Sequence, residues 1–134
     1  NDNENNLDLF NDFSSWMRLS YKMDVQGISK WADQLATKGR KQQELFLSYA
    51  IKMVRECLIY NFASNNLLKA NESELAFLTK LSFFIHEENS ILMVEKLEES
   101  IKAINRNANA KILFFELSLQ MAKFLKLKRK FAIK

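Results

Sequence analysis

Two apolar series run through residues 112–124. Ile112, Phe115, Leu119 and Ala122 form one, and Phe114, Leu117, Met121 and Phe124 form the other. Steps of three and four residues put each series on one face of an α-helix. One face suffices to join a core, so a helix that is apolar over most of its girth must be covered on more than one side. In a chain of 134 residues the second cover is expected from another subunit. Phe114, Phe115, Leu117, Leu119 and Met121 are therefore the candidate subunit interface.

The rest of the chain agrees with a helical reading. It has no proline and only two glycines, whereas strands and their turns normally need more of such residues. The expected fold class is all-α, a compact bundle of about six helices. The length suits one domain with its own core. The first residues, Asn1-Asp2-Asn3-Glu4-Asn5-Asn6, are polar and lack an initiating methionine, so residues 1–6 read as a linker remnant of a longer protein. The helical domain is expected over 7–128 and a basic tail over 129–134.

Helix boundaries follow from period and capping residues. The first helix is expected over Leu7–Tyr21, with Leu9, Phe13, Trp16, Phe10 and Met17 inward. A second spans Val25–Ala36, with Asp24 as N-cap and Gly39 as terminator. The third, Arg40–Tyr60, carries two adjoining stripes, Phe46-Ala50-Met53-Cys57-Tyr60 and Leu47-Ile51-Val54-Leu58. A looser segment runs from Phe62 to Ala70. Asn71 and Glu74 have capping-box spacing and open a fourth helix over Glu72–Phe84. A fifth covers Ser90–Asn105 with Ile91, Val94, Leu97, Ile101 and Ile104, and a sixth runs from Asn109 to about Lys128.

Chemistry-bearing residues are sparse. Cys57, the single cysteine, lies on an apolar stripe and reads as core packing in a reducing, cytoplasmic compartment. His86, the single histidine, reads as a surface imidazole in a turn beside Glu87 and Glu88; no Cys/His cluster offers a metal site. Glu87-Glu88 and Glu98-Glu99 are neighbours in sequence, so each pair diverges on a helix. Gly39-Arg40-Lys41 lacks the remaining residues of a phosphate-binding loop, and its cations open a helix, where they need partners. The aromatic residues Trp16, Trp31, Phe83, Phe84, Phe114 and Phe115 fall in helical apolar patterns and read as core or interface. No uninterrupted apolar run reaches about eighteen residues, so no span is expected. The net charge of +4 is uneven, with Lys123, Lys126, Lys128, Arg129, Lys130 and Lys134 gathered late. No catalytic, cofactor or metal residue is assigned, and the chain is not expected to be an enzyme by itself.

Three segments carry a resemblance. They are Phe13-Ser14-Ser15-Trp16-Met17-Arg18-Leu19; Gly39 to Ala50, together with Met53-Val54-Arg55-Glu56; and Ile104-Asn105-Arg106-Asn107-Ala108-Asn109-Ala110-Lys111-Ile112-Leu113-Phe114-Phe115. In this order they resemble the C-terminal collar domain of bacterial DNA polymerase III clamp-loader delta prime subunits, in the form seen in Bacteroidetes-like sequences. An asparagine-rich turn entering an apolar last helix is the most specific of the three. The resemblance implies an AAA+ module before this domain, and a collar formed with gamma/tau-like and delta-like subunits. It implies contact with the sliding clamp and primed DNA only through the full complex, in DNA replication, with no small-molecule substrate and no membrane. The alternative is a helical DNA-binding or regulatory module that uses the basic C-terminus.

Overall fold

Two turns share one backbone grammar. At the end of the first helix, α1 (Asp2–Lys22), Met23 takes a positive φ of 55°. Met23 N–H then donates to the Ser20 carbonyl and Asp24 N–H to the Leu19 carbonyl, each at 3.1 Å. This is the Schellman closure, which satisfies carbonyls the helix leaves open. Asp24 immediately caps the next helix, α2 (Val25–Ala36), accepting from Gly27 N–H. The asparagine-rich turn repeats the pattern. Asn107 has φ 66°, and Asn107 and Ala108 N–H donate to the Ile104 and Ala103 carbonyls, each at 3.0 Å. Asn109 then caps the last helix by accepting from Ile112 N–H.

The computed structural model describes residues 2–62 and 70–128. The remaining helices are α3 (Arg40–Phe62), α4 (Glu72–Leu81), α5 (Glu87–Asn105) and α6 (Ala110–Leu125), with a 3-10 turn at Ser82–Phe84. The fold is an all-helical bundle of six α-helices with no strand among the described residues. Residues 63–69, within the segment read as looser, and the tail 129–134 lie outside the described residues.

Several boundaries differ from the sequence reading, each for a local reason. Residues 2–6, read as a linker remnant, belong to α1. The fourth helix stops at Leu81, and Asn61 Nδ2 binds the turn that follows through the Ser82 and Ile85 carbonyls at 3.2 and 3.0 Å. The fifth starts at Glu87, not Ser90, because His86 and Asn89 form a capping box. The sixth ends at Leu125, short of Lys128. Gly39 is not a left-handed terminator, since no glycine has positive φ among the described residues. The last turn of α2 is closed instead by buried Gln43 of α3. Its Nε2 donates to the Leu35, Ala36 and Lys38 carbonyls at 3.2, 3.3 and 3.3 Å. This side chain from the first turn of the next helix adds to the local cap at Thr37, whose N–H reaches the Asp33 and Gln34 carbonyls. The expected box of Asn71 and Glu74 is present.

The core is aromatic at its centre. Trp16 is fully buried and stacks on Trp31, with ring centroids 5.1 Å apart and planes 1° apart. Phe46 and Phe114 meet these rings edge-on, an arrangement favoured by the ring quadrupoles. Each indole N–H has an acceptor. Trp16 Nε1 donates to Ser118 Oγ at 2.6 Å, and Ser118 Oγ donates to the Phe114 carbonyl at 2.6 Å. Trp31 Nε1 donates to the Asp12 carbonyl at 3.1 Å. The expected stripes of α3 are buried from Phe46 to Cys57. On α5 the buried face is Met93, Leu97, Ser100 and Ile104, and Ile91, one of the apolar residues named for this helix, is exposed. Helices α2, α1 and α5 lie along α6.

Candidate functional site

The two apolar series of α6 part company in the folded chain. Phe114, Leu117 and Met121 are buried. They belong to the domain core, with Phe114 wedged against Trp31 and Phe46. Phe115 and Leu119 are half-buried, and Ile112 is 57% exposed. The sequence reading left Ile112 out of the interface set. Yet positions 112, 115 and 119 fall on one helix face, so the stripe that this core leaves partly uncovered is Ile112, Phe115 and Leu119. Of the five candidate contacts, Phe115 and Leu119 remain available to a partner. Phe114, Leu117 and Met121 already have their cover inside the chain, because α2 and α1 close over that face.

The start of α6 is tied to α2 and α3 where this stripe begins. Lys111 Nζ pairs with Asp33 of α2 at 2.9 Å. Arg40 donates to Asn107 Oδ1, which supplies the partner that a cation at a helix start requires. The stripe is therefore presented by a braced element and not by a loop.

Ionisable residues serve the fold. His86, read as a surface imidazole, is buried at 6% exposure. Its Nδ1 accepts from Asn89 N–H at 3.4 Å, which leaves Nε2 to donate to the Leu127 carbonyl at 2.8 Å. Asn89 Nδ2 donates to the Phe84 and Phe124 carbonyls at 2.7 and 2.9 Å. This pair ties the start of α5 to the end of α6. Glu98 pairs with Arg55 and Glu99 with Lys96, so neighbouring carboxylates point to different partners. Tyr49 donates to the buried Glu74 carboxylate. Burial, and then that carboxylate, hold the Tyr49 phenol protonated well above its ordinary range. Among the described residues no group of three or more His, Cys, Asp or Glu could hold a metal ion. None of the described helices is long and apolar enough to cross a membrane.

Cys57 is fully buried. Burial, with a smaller contribution from the neighbouring Glu56 carboxylate, pushes its thiol up to about 12 from 9.0. The folded chain thus keeps a proton that the unfolded chain releases. Stability from this group is complete below pH 9.0 and falls as pH rises towards 12; Tyr49 acts in the same direction. Urea midpoints should therefore decline above pH 9.0, and Cys57→Ala should soften that decline. Thiol reagents should label Cys57 only as the domain unfolds; rapid labelling of the native chain would contradict its burial.

Comparison with protein-family models, with curated proteins and with solved structures finds no match for this chain.

Proposed function

We propose that the chain is a subunit-assembly domain of a DNA polymerase III clamp loader, of the delta prime collar type. In this reading it scaffolds an AAA+ ring that loads the sliding clamp on primed DNA. Its partners are gamma/tau-like and delta-like subunits. The observation that carries the reading is the outward stripe of α6. Ile112, Phe115 and Leu119 stay at least partly uncovered although the domain's own core is closed. Apolar and aromatic residues in such a position suit the centre of an interface. The three resembling segments bring the asparagine-rich turn and this helix together in one place. The role is mechanical: a braced helix holds neighbouring subunits in register, and no ATP chemistry is assigned to the described residues.

The test is the double variant Ile112→Asp with Leu119→Asp, co-expressed with the gamma/tau-like and delta-like subunits. Substitutions on this face should leave the thermal melt cooperative, at a cost of about 1–2 kcal/mol from the half-buried Leu119. Association should fall by about a hundredfold or more, since two carboxylates would be desolvated at the interface. A variant that folds normally and still co-purifies in full would refute the assembly role of this face.

A further inference from the structure

A second surface lies at the other end of α6, where the C-terminal ends of α1, α4 and α6 converge. It is a groove of about 230 Å³ between α1 and α4, with Leu81, Phe84 and Leu125 among its apolar walls. Its charged lining is Arg18, Lys22 and Lys80, with no carboxylate. A neighbouring recess shares Tyr21, Phe84 and Leu125 and adds Lys126 and Lys128, again with no carboxylate. None of these cations forms an ion pair among the described residues, where the lysine and arginine ion pairs use Lys38, Arg55, Lys96 and Lys111.

The helix dipole explains part of this placement. Cations are favoured at helix C-termini, but each end carries only roughly half a negative charge. Three ends leave most of the charge on five cations unbalanced. The walls are as informative as the charge. An apolar cavity of about 150 Å³ accepts a benzene ring, so this groove has room for one large apolar side chain.

We propose that the groove binds an acidic peptide segment of a partner protein, seating one apolar side chain against Leu81 and Phe84 while carboxylates meet Arg18, Lys22 and Lys80. A single-stranded nucleic acid would match the charge but has no apolar side chain for the pocket walled by Leu81, Phe84 and Leu125. Stacking needs open ring faces. The Arg18 guanidinium lies over the Phe77 ring at 5.3 Å, and Lys126 Nζ lies over Tyr21 at 5.5 Å. Tyr21 and Phe84 pack on each other, with centroids 4.9 Å apart. These contacts engage part of each ring in the groove and hold two of the cations at the rim, while Phe83, 85% exposed, stays open in the adjoining recess. A second copy of the chain is a poor occupant, because both copies carry a net charge of +4. The proposal stands apart from the assembly role, since the Ile112 stripe starts at the opposite end of α6.

The test is fluorescence anisotropy with the full chain and a short labelled amphipathic peptide bearing glutamates around a central phenylalanine. Saturable binding is expected, weakened roughly tenfold by salt screening and by Lys22→Glu with Lys80→Glu. Both lysines are exposed, so that variant should melt like the wild type. Replacing the peptide phenylalanine by alanine should weaken binding by a further tenfold, roughly. Three results would each overturn the proposal: no saturable peptide binding, binding indifferent to both the lysine and the phenylalanine replacements, or labelled oligothymidylate binding more tightly than the peptide with the same dependence on Lys22 and Lys80.

Discussion

Phe114→Asp is expected to abolish the cooperative thermal melt, whereas Phe115→Asp on the adjacent position should preserve it. Phe114 is fully buried between Trp31 and Phe46. Removing a buried phenylalanine costs about 3–5 kcal/mol, and a carboxylate in its place adds the penalty of an unpaired buried charge, several kcal/mol more. Single domains are stable by only about 5–15 kcal/mol, so the sum is comparable to the whole. Phe115 is half-buried at the edge of the core. Its replacement loses part of that contact, about 1–2 kcal/mol, and its carboxylate can turn to water. Circular dichroism melts of the two variants make the comparison. A native-like melt for Phe114→Asp would show that the inward face of α6 has been wrongly assigned. Equal collapse of both variants would mean that Phe115 is also core and unavailable to a partner.

Trp16→Ala should lower stability by about 3–5 kcal/mol, the range for large aromatic truncations. Trp16 is stacked on Trp31, touches Phe46 edge-on and donates to Ser118, so one side chain joins α1, α2, α3 and α6. The hydrogen bond can be separated from the packing. Trp16→Phe keeps an aromatic ring but loses the donor, and Ser118→Ala loses the acceptor. A double-mutant cycle on urea unfolding should give a coupling of about 1 kcal/mol. A coupling indistinguishable from zero would remove this bond from the forces that hold α1 against α6, leaving packing alone.

Much of the architecture is legible from local chemistry. Scarce turn formers and steps of three and four residues account for the helices. Asp24, Asn71 and Asn109 mark three helix starts through short-range capping. The stripes of α3 reach the core as their period requires. His86 was misjudged because a lone histidine next to two glutamates has the composition of a surface turn. Its cap depends on Asn89, and its burial depends on the end of α6 folding back over it. Phe83 shows a different limit. Its apolar pattern suggested core or interface, and the 3-10 turn leaves it 85% exposed, which removes the core option alone.

The candidate site divides in the same way. Sequence alone determined that the last helix carries two apolar faces, because that property depends only on residue type and helical period. Which face the chain itself covers was decided by tertiary structure. The short helix α2 lies along α6 and brings Trp31 onto Phe114, while Lys111 and Asp33 brace the same junction. Those contacts join residues far apart in the chain, and periodicity carries no information about them. The gathering of Arg18, Lys22, Lys80 and Lys126 was equally hidden. Each is an ordinary exposed cation, two on α1, one on α4 and one just past α6, and only the convergence of three helix ends makes them one surface.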